Sequence, residues 1–346
     1  MTESGQVQNR ALRVAILGAT GLVGRTMLQV LEERDFPISE LRLFASSRSA
    51  GTELEFRGQR IAVQEVNEEG FRGLELALFS AGAEASRKWA PIAASAGALV
   101  IDNSSAWRMD PEVPLCIPEV NLEAARKAPK RIIANPNCAT IQMLVALAPL
   151  HREAKIRQIV VATYQAASGA GQKLVKRLEE ELRHFVEKGQ VALSNAPERP
   201  LACNLLMEWK RDVQSHHQEE ELKLINETRK ILGDPSIIVS PTTVRVPVFN
   251  GHAEAIHVEF ERPITAQRAR EILEAAEGVQ VVDEFAKGIY PTPIDADGQD
   301  LVLVGRIREA LGKPNALSLW VVADNLRKGA ATNAIQIAEA LFSIMG

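Results

Sequence analysis

The stretch ALRVAILGATGLVG, residues 11–24, followed by RTMLQVLEER, residues 25–34, decides the fold. Residues 11–17 form a short apolar run of strand length. Three glycines follow, Gly18, Gly21 and Gly24, and residues 25–34 carry the spacing of an amphipathic helix. Strand, glycine turn and helix in this order open a dinucleotide-binding unit. Glycines let the backbone approach a pyrophosphate, and the helix start offers N–H groups and the positive end of its dipole. The spacing is GxxGxxG rather than GxGxxG, so the residues also fit a plain strand-to-helix turn. Their place at the first βα junction favours the ligand.

Working outward, residues 41–45 read as a second strand and end in SSRSAG, residues 46–51. An acidic residue at this point would bond a ribose 2′-hydroxyl. None is present, and Arg48 can pair with a 2′-phosphate, which favours NADP. Strands at 74–79 and 99–102 alternate with a helix over about 84–96, which predicts a parallel sheet. After NPNCAT, residues 135–140, an apolar helix runs to Leu150, and a domain boundary falls there. Beyond it the pattern predicts a strand at 156–164, a helix at 171–188, a long loop over 189–215 and a helix at 219–231. Residues 237–249 and 252–260 alternate like strands, and Asn250-Gly251 between them is a hairpin signal. A helix at 266–276, a strand at 317–322 and a closing helix at 331–342 complete the chain.

The 346 residues are 46% hydrophobic and 24% charged, which excludes a disordered chain. The net charge of −4 gives no basic excess, so nucleic acid is not an expected partner. Cys116, Cys138 and Cys203 are too few and too scattered for a disulfide framework or a zinc knuckle. Residues 1–10 lack the apolar core of a signal peptide and read as a mobile tail. No apolar run reaches the roughly 18 residues of a membrane span. The expectation is a soluble cytoplasmic protein with no metal.

Cys138 opens the apolar helix, where the dipole raises its thiolate fraction, and a thiolate attacks acyl groups. The same cysteine also fits a small buried apolar position. His252 follows the Asn-Gly turn and is either an acid/base group above a cleft or a surface histidine. Glu219, Glu220 and Lys223 share a helix face, ordinarily a solvated one. Arg108 follows DNSSAW, residues 102–107, just past a strand end, where open α/β sheets bind ligands.

Taken together, GATGLVG (18–24), ASSRSAG (45–51), DNSSAWR (102–108), PEVN (118–121), NPNCAT (135–140) and YQAASGAG (164–171) resemble one family, aspartate-β-semialdehyde dehydrogenase. EELK with NETRKI (220–231), RVPVFNGHAEA (245–255), YPTP (290–293), VGRIR (304–308) and DNLRKGAATNAIQIAE (324–339) continue the resemblance in order. It implies an α/β fold: a Rossmann-type doubly wound parallel sheet over 11–137 and 325–346, and a second α/β catalytic and dimerisation domain over 138–324. It implies NADPH-dependent reduction of L-aspartyl-4-phosphate to the semialdehyde, with release of inorganic phosphate, by a homodimer or a pair of dimers. By position, Cys138 is similar to the nucleophile, Gln165 to the residue that orients the acyl group and His252 to the acid/base group. Arg245 would hold the substrate carboxylate, and Glu220 its ammonium, with Glu219 and Glu221 as the alternatives one residue away. Arg108 and Lys223 would bind phosphate, and Asn137 would face the oxyanion. Gly18, Thr20, Gly21, Leu22, Val23, Gly24, Arg48, Ser49, Ser168, Gly169 and Asn325 would touch the cofactor. Residues 201–218 depart from the family pattern, which bears on the oligomer. The alternatives are N-acetyl-γ-glutamyl-phosphate reductase, whose substrate has no ammonium, and a non-catalytic paralogue, which the presence of Cys138, Gln165 and His252 argues against.

Overall fold

The computed structural model describes residues 10–191, 199–207 and 209–343. The chain forms two units that divide between Pro136 and Asn137 and again between Gly329 and Ala330. The expected tail, residues 1–10, lies outside the described residues except for Arg10, which pairs with Glu75.

The first unit contains β1 (Leu12–Leu17), α1 (Leu22–Glu33), β2 (Ile38–Ala45), β3 (Glu53–Phe56), β4 (Gln59–Glu65), β5 (Leu76–Phe79), α2 (Ala83–Ser95), β6 (Leu99–Asp102), α3 (Pro118–Ala125) and β7 (Ile132–Ala134). The sheet order is β3-β4-β2-β1-β5-β6-β7. β1 lies at the centre with parallel neighbours on both sides. Its residues 14–17 are all buried, as a strand covered on both faces requires. The C-terminal helix Thr332–Phe342 belongs to this unit, where Ala334, Ile335 and Ala338 join Met27 and Leu31 of α1 in one core. Arg34 clamps Glu339 of that helix with two bonds of 2.7 Å.

The sheet is not wholly parallel, because β3 runs antiparallel to β4 at the edge. Arg57 and Gly58 between them both have positive φ, 49° and 73°. Such a pair makes the tight turn whose twist suits a hairpin. Arg57 is held there by bonds to Asp35 and to the Phe36 carbonyl.

The second unit contains α4 (Cys138–Ala154), β8 (Ile156–Gln165), α5 (Gln172–Lys188), the short β9 (Arg211–Asp212) and β10 (His217–Gln218), α6 (Glu219–Leu232), β11 (Ile238–Arg245), β12 (His252–Phe260), α7 (Ala266–Glu274), β13 (Val279–Val281), β14 (Val302–Ala310) and β15 (Lys313–Ala323). Six of these strands form a mixed sheet in the order β11-β8-β12-β15-β14-β13. The expected hairpin of residues 237–249 with 252–260 does not form. β8 lies between β11 and β12, parallel to the first and antiparallel to the second. The intervening segment crosses the end of β8 and bonds to it, with Val246 N–H on the Gln165 carbonyl and Ala167 N–H on that of Val248. Asn250 is caught by Asp297 and Asp324 rather than by a partner strand.

α4 is buried almost all round and packs on β8, β12, β14 and β15. A helix that is mainly apolar on every side over residues 139–150 has no solvent face to offer there, so it becomes the layer over a sheet. α6 packs beside it on β11. The other sheet face carries half-exposed Tyr164 and Trp320, with ring centroids 5.5 Å apart, and exposed Val160. In the expected loop 189–215, residues 192–198 and 208 lie outside the described residues. Leu201, Ala202 and Leu206 pack on Leu178 of α5.

Candidate active site

The glycine turn of the first unit divides its work among three residues. Gly18 has φ +88°, and a Cβ there would stand 2.4 Å from the Ser80 carbonyl oxygen. A Cβ on Gly24 would stand 2.3 Å from the Gly18 carbonyl oxygen. These two glycines permit the close packing of turn, strand and helix. Gly21 differs: it is exposed, it is the N-cap of α1, and no side chain caps that helix. Thr20, Leu22 and Val23 flank it and are half-buried. An uncapped helix start behind an open glycine fits a pyrophosphate. Arg48 is exposed in the turn Ser47–Ser49 that follows β2, with half-buried Ser49 beside it and no carboxylate in that turn. The donor set there fits a 2′-phosphate. Arg108 is buried at the carboxyl ends of β6 and β7, where it donates to the carbonyls of Asn103 and Asn135 at 3.0 Å each.

In the second unit the sheet assembles one polar row. Arg245 of β11 pairs in register with Gln165 of β8. On the other side of β8, Ala253 pairs with Tyr164, so His252 is level with Gln165. All three side chains are buried. Asn137 caps α4 by accepting from the N–H groups of Ala139 and Thr140 at 3.0 and 3.4 Å. This holds half-buried Cys138 at the positive end of the helix. Asn137 was expected to face the oxyanion, and its bonds are otherwise engaged. Its N–H donates to Glu227 at 2.7 Å and its carboxamide donates to Glu220 at 2.8 Å. It therefore acts as the cap of the helix that Cys138 opens.

The three adjacent glutamates separate clearly. Glu221 closes a capping box with Gln218, and Glu219 is half-buried on the outer side. Glu220 is the inward one, accepting from Asn137, from Gln165 at 3.3 Å and from Lys223 at 3.0 Å. Burial alone would raise its pKa. The Lys223 charge, the bonds from Asn137 and Lys223, and Arg245 outweigh that and keep the carboxyl below its usual value. Lys223 also pairs with Glu219 at 3.4 Å.

Arg245 donates to the Ala166 carbonyl at 2.7 Å, and its guanidinium lies 4.8 Å from the Trp209 ring centroid. Burial lowers its pKa, and the charges of Glu220 and Cys138 oppose the change. His252 accepts the Ala166 N–H on Nδ1 at 3.0 Å. Burial first and the Arg245 charge second hold its pKa well below the usual histidine value. Ser168 bonds Asn250 at 2.8 Å and Asn325 at 2.9 Å, and Asn325 accepts the Gly251 N–H at 3.0 Å. Asn250-Gly251 thus braces the loop that carries Ser168 and Gly169. Among the described residues, no group of three or more His, Cys, Asp or Glu is placed to hold a metal ion.

Several contributors were not evident in the sequence. Glu227 lies in the same helix as the charged stretch 219–223, and it is buried against the Asn137 N–H. Gly329 lies in a glycine-alanine run, and a Cβ there would stand 2.9 Å from Cys138 Cβ. Ala166 acts only through its backbone.

Residues 13–128 match the family described as semialdehyde dehydrogenase, NAD binding domain, and residues 147–328 match semialdehyde dehydrogenase, dimerisation domain. The chain is 51% identical to aspartate-semialdehyde dehydrogenase of Aquifex aeolicus, across 95% of this chain and 97% of the relative. Its structure is similar to the crystal structure of aspartate semialdehyde dehydrogenase II from Vibrio cholerae complexed with ASA, with TM-score 0.93, 47% identity, and coverage of 97% and 100%. It is also similar to the Candida albicans aspartate semialdehyde dehydrogenase with NADP, with TM-score 0.74, 25% identity, and coverage of 97% and 100%. By sequence, fold and the residues assembled in its second unit, the chain belongs to the aspartate-semialdehyde dehydrogenase family.

Proposed function

We propose that the chain carries out NADPH-dependent reductive dephosphorylation of L-aspartyl-4-phosphate to L-aspartate-4-semialdehyde, the reaction that leads toward lysine, threonine and methionine. The observation that carries this reading is the buried Glu220 carboxylate, bonded to Asn137 beside Cys138, in the charge field of Arg245. A substrate with a carboxylate, an ammonium and a phosphate meets an arginine, a carboxylate and an Arg/Lys pair. An acetylated glutamyl phosphate has no ammonium to bring to Glu220.

Cys138 attacks the acyl carbon and forms a thioester as phosphate leaves. Gln165 orients the acyl oxygen, Arg245 holds the α-carboxylate by a two-pronged bond, and Glu220 holds the ammonium. Lys223 and Arg108 receive the phosphate. NADPH, when bound, supplies the hydride that reduces the thioester. Gly18, Gly21 and Gly24 with α1 would receive its pyrophosphate, and Arg48 with Ser49 its 2′-phosphate. Ser168, Gly169 and Asn325 would face its nicotinamide. The exposed sheet face with Val160, Tyr164 and Trp320 supports a homodimer, and two dimers would make the tetramer. Three free cysteines support a reducing, cytoplasmic setting. Among the described residues no helix is long and apolar enough to cross a membrane.

The test is NADPH formation from NADP and aspartate semialdehyde, with and without inorganic phosphate, beside N-acetylglutamate semialdehyde. Phosphate-dependent turnover of the aspartyl substrate is expected. Cys138→Ala should abolish turnover and keep NADP binding. Turnover of the acetylated substrate alone would overturn the reading.

A further inference from the structure

Trp209 stands in a segment tied at both ends to the elements that carry the charged site. Leu206 and Arg245 exchange both backbone bonds, at 3.0 and 2.7 Å. A little further on, the Trp209 ring lies over the Arg245 guanidinium, with Cζ 4.8 Å from the ring centroid. The next residue, Lys210, accepts the Glu219 N–H at 2.7 Å, and β9 then pairs with β10, which leads into α6. One end is thus held by the strand of Arg245 and the other by the helix of Glu220 and Lys223. The indole is half-buried and the guanidinium side chain beneath it is buried. Residues 201–218 depart from the family pattern, so resemblance assigns Trp209 no role.

A guanidinium offers two kinds of surface: N–H groups fan out in its plane, and its faces carry none. Nη1 spends one in-plane bond on the Ala166 carbonyl at 2.7 Å. A Cβ on Gly169 would stand 3.1 Å from Nη1, so the group is confined there as well. Among the described residues no oxygen accepts from Nε or Nη2. The Glu220 carboxylate bonds Asn137, Gln165 and Lys223 instead. An aromatic ring attracts the cation through its face and leaves the in-plane donors open. A carboxylate in the place of Trp209 would fill those donors and cancel the charge. We propose that Trp209 is a positioning residue for substrate recognition: its ring fixes the plane of Arg245 and leaves Nε and Nη2 to the substrate α-carboxylate. The proposal rests on the reaction assigned above. The α-carboxylate keeps its charge through acyl transfer and reduction. A firmer grip on it therefore acts equally on ground and transition states, and its loss appears in KM rather than kcat.

The test compares Trp209→Phe, which keeps an aromatic face, with Trp209→Leu and Trp209→Met, which do not. In the reverse assay the two aliphatic variants should raise KM for aspartate semialdehyde roughly 2–30-fold, the worth of one cation–π contact. Their kcat should stay within about twofold, and KM for phosphate and for NADP should not move. Trp209→Phe should recover most of the semialdehyde KM. An unchanged semialdehyde KM, a Phe variant no better than Leu, or a rise in all three KM values together would each overturn the proposal. A second readout needs no turnover. The Arg245 Nε–H resonance, assigned by its loss in Arg245→Lys, should be shifted upfield by the ring current in wild type. It should move downfield in the aliphatic variants and less so in Trp209→Phe. A resonance indifferent to residue 209 would also overturn the proposal, and the wild-type shift decides it even if an aliphatic variant does not fold. If wild-type protein did not turn over the semialdehyde, the assigned reaction would fail, while the resonance would still show whether Trp209 holds Arg245.

Discussion

Replacing Glu254 by glutamine should make the protein's stability less sensitive to rising pH. Glu254 lies on β12 two residues after His252, opposite Thr163 of β8 and Val321 of β15. It is fully buried, and neither carboxyl oxygen has a hydrogen bond of normal geometry. Burial raises its pKa well above the usual carboxylate value, and the nearby Gln142 amide, the only opposing influence, offsets little of this. The sign follows from proton counting. Above the unfolded value of 4.5 the folded state binds the extra proton, so stability falls as pH rises until the folded value is reached. The slope in that window is about 1.4 kcal/mol per pH unit. For a unit of this size, 1 kcal/mol moves the melting temperature by about 2–4 °C, so the expected slope is about 3–6 °C per unit. Glutamine keeps the shape and cannot ionise. Wild type and Glu254→Gln are melted at equal concentration at steps from about pH 5 upward. The difference should move in favour of glutamine at each step within the window. A difference that stays constant, or moves toward wild type, would refute a neutral buried carboxyl.

The remaining predictions concern the site. Gly329→Ala should crowd Cys138, whose Cβ would lie 2.9 Å away, and lower kcat by about tenfold or more with little change in melting. An unchanged kcat would mean that the helical turn Arg327–Ala331 yields. Arg48→Ala should reduce the preference for NADP over NAD by about tenfold, the worth of one charge-assisted bond. Equal ratios before and after would remove Arg48 from that role. Lys223→Ala should raise KM for inorganic phosphate in the reverse assay and change that for the semialdehyde much less. The opposite pattern would assign Lys223 to the amino-acid end through Glu220.

The first half of the chain was legible because its signals are local. An all-buried strand such as β1 and glycines at a βα junction carry their structural meaning in sequence. Asn250-Gly251 misled for a physical reason: the turn pair holds φ +86° at Gly251, but its side-chain bonds go to Asp297, Asp324 and Ser168 instead of closing a hairpin. The antiparallel edge escaped because Arg57 adopts positive φ under the tertiary hold of Asp35 and Phe36. Glu220 reads from its local pattern as a solvated charge, and nothing local marks Glu227 or Glu254 as buried, since charge pattern reports a helix or strand face and not what later covers it. Their partners, Asn137 and Gln142, belong to the helix α4, distant in sequence. Of the candidate site, Cys138, Gln165, Arg245 and His252 were recognisable through family resemblance, whereas the helix-capping role of Asn137 needed coordinates.

The row of Arg245, Gln165 and His252 has a consequence for discrimination by chain length. These residues come from three neighbouring strands, so their lateral intervals are the hydrogen-bonded strand spacing of about 4.8 Å. That interval is a property of the peptide backbone and does not adjust by loop movement. A substrate longer by one methylene, gripped at its carboxylate end over β11, would overshoot at its reacting end. With Arg245 as the proposed carboxylate anchor, the yardstick that would reject it is the sheet itself, and relaxing it would require slipping a strand, which moves every core side chain along with it.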